Sequence, residues 1–189
     1  MMSTDIKIHL YLAGPEVFLP DARDIGARKK ALCAEFGFVG LYPLESELPA
    51  PSEKPDEAIF AANRALMRRA DAGVFNLSPF RGVNADPGTA FELGFFAALG
   101  KPVFAYSNCA APLFDRVAAT FGAQPSGDGP RDADGLLIED FGNADNLMLD
   151  AALKAQGRAV LRPEKSALAD LAALDLFRQC LREARRHFG

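Results

Sequence analysis

Residues 72–106 read AGVFNLSPFRGVNADPGTAFELGFFAALGKPVFAY. Two short apolar runs, 72–77 and 102–106, flank a helical stretch, and strands joined by a helix pair in parallel. The loop Ser78-Pro79-Phe80-Arg81-Gly82 leads toward Asp86-Pro87, which marks the helix start. Asp86 can accept the free amide protons of the first turn, and Pro87 suits the first helical position, where no hydrogen bond is lost. The helix runs through Phe91, Phe95, Ala98 and Leu99 to Gly100, a natural left-handed cap, with Pro102 just beyond. It reads as a buried helix, and Glu92 lies within its apolar run. An ionised carboxylate there carries a desolvation cost. Glu92 is therefore either a candidate nucleophile or general base, or a structural acid satisfied by backbone donors.

Outward from this unit the same alternation repeats. A first strand spans 6–13 and ends in the turn Gly14-Pro15-Glu16-Val17-Phe18; a helix covers 21–36 and a strand 38–42. Residues 43–55, with four prolines and several acids, read as a surface loop. The helix at 56–70 carries Ile59, Phe60, Asn63, Leu66 and Met67 on one side. Residues 122–135, rich in Gly, Pro and Asp, read as a mobile loop. Then come an edge segment at 136–139, a short helix at 146–153, a fifth strand at 159–161 and a closing helix at 163–188. The pattern predicts one α/β domain over 1–189, a doubly wound five-stranded parallel sheet with helices on both faces. Phe60, Phe75, Phe95, Phe96 and Phe104 are expected in the core, and His9 as a packed strand residue.

Composition sets the class. The 189 residues are 49% hydrophobic and 24% charged, enough to bury one sizeable core. A net charge of -4 argues against a nucleic-acid partner, and the basic last turn (Arg182, Arg185, Arg186, His187) matches a helix dipole. Three scattered cysteines and two histidines support neither a disulfide framework nor a zinc site. The N-terminus lacks a signal-peptide pattern, and no apolar run reaches the roughly 18 to 20 residues of a membrane span. These features lead us to expect a soluble, cytoplasmic protein without a membrane partner.

In open parallel sheets ligands sit beyond the carboxyl ends of the strands. There this chain gathers carboxylates, one arginine and aromatics, which suits a neutral ring compound. Neither the G-x-G-x-x-G fingerprint nor a P-loop is present, which weighs against nicotinamide and ATP chemistry.

Read in order, Tyr11-Leu12-Ala13-Gly14-Pro15 with Phe18, Asp71, Ser78-Pro79-Phe80-Arg81-Gly82, Asp86-x-Gly88-Thr89-Ala90-Phe91-Glu92-x-Gly94 and Asn146-Leu147-Met148-Leu149 resemble the nucleoside 2-deoxyribosyltransferase family. The resemblance runs through about three quarters of the chain. It implies a flavodoxin-like (Rossmann-like) fold and base exchange on 2'-deoxynucleosides through a covalent deoxyribosyl-enzyme ester. Carried onto this sequence, it makes Glu92 the nucleophile, Asp71 and Asp86 the acids that contact and protonate the base, and Tyr11 the phenol beside the nucleophile. Gly14, Phe18, Phe80 and Gly88 are the implied substrate-binding positions, together with Asn146 and Met148, which a neighbouring subunit lends. The implied partners are nucleosides, free bases and further copies of this chain; no metal or organic cofactor is implied.

The residues themselves are compatible with that chemistry. Cleaving an N-glycosidic bond passes through an oxocarbenium-like sugar, which a carboxylate can trap while an acid protonates the leaving base. Plainer readings stand beside it: Tyr11 as a strand-end tyrosine, Asp71 as a helix-terminal acid, Asn146 as a helix cap, and Arg81 as a structural partner of Asp86. Rival functions are hydrolysis of 2'-deoxynucleosides or their 5'-monophosphates, and a non-enzymatic nucleoside sensor. The phosphorylated substrate needs an anion cradle near the first turn, where Glu16 places an acid. Gly88-Thr89-x-x-Glu92 also echoes the G-T-x-x-E of cytokinin-activating phosphoribohydrolases, without the glycines that precede it there.

Overall fold

Alternation along β1 (His9–Ala13) sorts the interior into two layers. Leu10 and Leu12 join one apolar cluster, Tyr11 and Ala13 the other, as a period of two requires. The structure, a computed structural model, describes residues 7–43, 54–165 and 170–189. β1 pairs in parallel with β2 (Val39–Leu41) and with β3 (Ala72–Asn76), and β3 pairs with β4 (Val103–Tyr106), giving the order β2-β1-β3-β4. Every residue of β3 is buried, as in a strand covered on both faces. α1 (Ala22–Glu35) and α6 (Asp175–Phe188) bring Leu32, Cys33, Phe177, Cys180 and Leu181 onto the Leu10 face. α2 (Pro55–Arg69), α3 (Pro87–Ala98) and α5 (Leu147–Lys154) bring Met67, Leu93, Phe96, Leu149 and Leu153 onto the Tyr11 face.

Several expectations are corrected. The sheet has four strands among the described residues, not five: Leu161 makes a single parallel bridge with Tyr106, and Pro163, with no amide to donate, follows two residues on. α4 (Leu113–Phe121) was not anticipated. Residues 122–135 fold back on themselves, with Arg131 bridged to Gln124 and to Leu137 and its guanidinium donating to the Gly135 carbonyl and Asp128. The closing helix begins only at Asp175, and residues 166–169 of its expected span lie outside the described residues, as do residue 6 of the first strand and 44–53 of the proline-rich loop. α3 buries only Thr89, Leu93 and Phe96, leaving Phe91 outward, in contact with an equally exposed Phe60. The His9 side chain is partly exposed beside Asp71 rather than packed.

The turn Pro15–Phe18 is held from below by buried charge. Lys29 of α1 donates to Glu16, and Asn76 at the end of β3 donates to the other Glu16 oxygen at 2.9 Å. Lys29 and Glu16 are both fully buried, and the ammonium lies 4.9 Å from the centre of the Phe177 ring. Gly14 is required by this close approach, since a Cβ there would sit 2.6 Å from that of Asn76. Removing one member of a buried pair strands the other charge. Lys29→Met is therefore expected to destabilise the fold by about 3–5 kcal/mol, with Lys29→Met/Glu16→Gln recovering part of the loss. Urea unfolding measures both, and an unchanged midpoint in Lys29→Met would exclude the pair as an anchor.

Candidate active site

The strand order turns between β1 and β3, and beyond their carboxyl ends lies a cavity of about 710 Å³. Its walls come from five places: Gly14, Val17 and Phe18 of the first turn, Arg23 of α1, Pro43 after β2, Ile59 and Asn63 of α2, and Asp86, Gly88, Thr89 and Glu92 at the start of α3.

The α3 wall follows from its cap. One Asp86 oxygen accepts the Thr89 amide at 2.8 Å and the Thr89 hydroxyl at 3.0 Å, satisfying first-turn donors. With the helix phase set there, Gly88 and Glu92 are four apart and share a face. A Cβ at Gly88 would approach the Asp86 carboxylate to 3.0 Å, so glycine keeps that acid open to the cavity.

Tyr11, on the same side of the sheet as α3, donates its hydroxyl to Glu92 Oε1 at 2.5 Å. Burial raises the Glu92 carboxyl to about 7; the Tyr11 hydrogen bond opposes the rise and the Asp86 charge adds to it. Burial and the adjacent Glu92 push the Tyr11 phenol far above its usual range, so it remains a donor. The site thus holds a carboxylate poised at neutral pH, a fixed phenol and a second acid. Among the described residues no group of three or more His, Cys, Asp and Glu is arranged to hold a metal ion.

Tyr11, Gly14, Phe18, Asp86, Gly88 and Glu92 are brought together. Phe80 reaches the site only through Phe18, on which it stacks at 4.9 Å. Arg81 lies over Phe80 at 4.8 Å with a left-handed φ of 52° and stacks on the aromatic pair, while the Asp86 carboxylate is bonded to Thr89 instead. Asp71 is not brought to the cavity. It precedes β3, at the opposite end of the sheet, where its carboxylate accepts the His9 amide at 2.7 Å. Asn146 caps α5 by accepting the Met148 amide at 3.0 Å, and Met148 is 70% exposed; neither lines this chain's own cavity.

Sequence reading missed Asn63 and Arg23. Asn63 was legible as the one polar residue on the apolar side of α2. Arg23 carried no such signal; its guanidinium makes no hydrogen bond or ion pair among the described residues.

Known proteins resemble this chain in sequence and in fold. The family model described as nucleoside 2-deoxyribosyltransferase matches residues 10–148. An uncharacterised protein of Schizosaccharomyces pombe is 32% identical over 187 residues, covering 87% of this chain and 88% of that one. The 2-desoxiribosyltransferase from Leishmania mexicana is 31% identical in sequence, and its structure superposes with a TM-score of 0.64 over 91% of this chain and 97% of its own. A conserved protein from Enterococcus faecalis V583, 17% identical, shares the fold with a TM-score of 0.53 over 94% of this chain and 99% of its own. With its cavity built by the matched segment, the chain belongs to the nucleoside 2-deoxyribosyltransferase family and is an enzyme.

Proposed function

We propose that this enzyme moves 2-deoxyribose between nucleobases through an ester on Glu92. The observation that carries the reading is the desolvated Glu92, held by the Tyr11 hydroxyl in the wall of the cavity that also contains Asp86. Glu92 attacks the anomeric carbon, the C–N bond breaks, and the leaving base takes a proton from Asp86. An incoming base then attacks the same carbon, expels Glu92 and returns its proton to Asp86. Attack on the anomeric carbon requires the ionised form of Glu92. Phe18, Ile59 and Asn63 meet the base. Asn146 and the exposed Met148 complete the cavity of an adjoining subunit in a homo-oligomer, and nucleosides and free bases are the substrates.

A second reading is favoured by two observations. Arg23 is an uncommitted cation at the cavity, and Glu16, whose acid argued against a phosphate, is turned inward and neutralised by Lys29. A 2'-deoxynucleoside 5'-monophosphate would place its phosphate against Arg23.

Incubated with 2'-deoxyinosine and adenine, the protein is expected to form 2'-deoxyadenosine, and Glu92→Ala to lose about 10³-fold or more. Hypoxanthine release without 2'-deoxyadenosine would instead identify a hydrolase. With the 5'-monophosphate as donor, the phosphate reading requires a higher kcat/KM than for the nucleoside, with the advantage reduced about 10- to 100-fold in Arg23→Ala. A nucleoside preference indifferent to Arg23→Ala excludes it.

The pH dependence has a defined sign. Glu92 attacks as the carboxylate, so kcat/KM for the donor rises as the pH rises through about 7 and Glu92 ionises. Tyr11→Phe removes an influence that lowers the Glu92 value, and the rising limb moves to higher pH. Because the folded state raises Glu92 from 4.5 to about 7, its contribution to stability is fully present below 4.5 and is lost as pH rises through 7. Glu92→Gln is thus expected to stabilise the protein by about 3 kcal/mol at pH 8 and negligibly at pH 4. Thermal unfolding at both pH values checks this, and equal gains would contradict it.

A further inference from the structure

Two chain segments that serve the site meet at one buried ion pair. Arg116 of α4, its side chain 9% exposed, donates from Nε to the Val83 carbonyl at 2.8 Å and from Nη1 to the Ala111 carbonyl at 2.6 Å. Its Nη2 donates to the Ala144 carbonyl at 2.8 Å and to Asp145 at 3.1 Å. The Asp145 carboxylate, 2% exposed, also accepts the Ala85 amide at 2.8 Å, the Asn84 side-chain amide at 3.1 Å and the Asn146 backbone amide at 2.8 Å. The Asp150 carboxylate accepts the backbone amides of Ala144 and Asp145, fixing the chain beneath the pair.

The connectivity gives this pair its interest. Ala85, whose amide Asp145 holds, is followed directly by Asp86 of the cavity, and Asp145 itself is followed directly by Asn146. We propose that Arg116 and Asp145 are positioning residues for two active sites at once, setting Asp86 in their own chain and the Asn146–Met148 segment in the cavity of the adjoining subunit. This rests on the shared-site reading above. One guanidinium bonded to Asp145 and to three backbone carbonyls has little freedom, so displacement on either side is transmitted to the other. The acid at position 145 therefore acts without touching substrate.

Hybrid oligomers test this. Glu92→Gln and Asn146→Ala chains are co-expressed with different tags; each parent alone is expected to be inactive, while the hybrid contains one cavity with Glu92 from one chain and Asn146 from the other. Transfer from 2'-deoxyinosine to adenine by the hybrid establishes the shared site, and no transfer overturns both that reading and this proposal. Asp145→Asn is then placed either in the Asn146→Ala chain, which supplies the working Glu92 and Asp86, or in the Glu92→Gln chain, which supplies Asn146. A loss of about tenfold is expected in each placement, in kcat for the first and through KM for the deoxynucleoside in the second. If either placement leaves transfer unchanged in a hybrid whose parent form is active, the pair serves one site only and the proposal fails. Arg116→Lys, which keeps the charge and loses the fork, repeats both placements should the Asp145→Asn hybrid not assemble.

Discussion

The hydrogen bond from the Thr89 amide to the Asp86 carboxylate sets the geometry on which the site depends. Helix α3 has no other side-chain cap at its first turn, and Pro87 has no amide to compete, so the helix starts at one residue and no other. Once its phase is set there, Glu92 must share a face with Gly88. Strand parity then brings Tyr11, which joins the same apolar cluster as Leu93 and Phe96, against that face. The contact between Tyr11 and Glu92 spans 81 residues of sequence, yet it follows from a local cap and a period of two.

The loops around this helix are positioned by buried charge more than by apolar packing. Lys29 and Asn76 hold the turn that carries Phe18, and Arg116 and Asp145 hold the approach to Asp86. Such pairs contribute little net stability, because desolvation offsets much of their attraction. Their value here is directional: an apolar residue in place of Asp145 would fill the volume without accepting the Ala85 amide, and that amide would then lie buried without a partner.

How far the sequence could be read follows from this division. The Asp-Pro helix start, the alternation along β1 and the parallel topology express local rules, and they were legible. The fifth strand was not, because a three-residue apolar run before a proline reads alike whether it pairs once or three times. Residues 122–135 looked unstructured because their order comes from polar bonds within the loop, those of Arg131 and Asp132 among them, rather than from apolar periodicity. Asp71 was assigned to the site by resemblance, and it fails on topology: an acid just before a parallel strand lies at the end away from the ligand crevice. Asn63, by contrast, breaks the apolar side of a helix facing the crevice, and that interruption is a physical reason to look there.

On the transfer reading, the identity of these polar groups bears on what the site can exchange. A base-exchange cavity must hold two different bases in turn, each with its own pattern of donors and acceptors. An asparagine amide offers both, and a half-turn about its terminal bond reverses them. A carboxyl group offers either, according to its proton. Asn63 and Asp86 can thus serve a departing base and a different incoming one without rearrangement of the backbone. Arg23 cannot, since a guanidinium only donates, so the group it meets must be one that does not change between the two half-reactions. That requirement is met by a substituent of the sugar, which stays on the enzyme throughout, and it directs Arg23 toward the deoxyribosyl end of the substrate rather than the base.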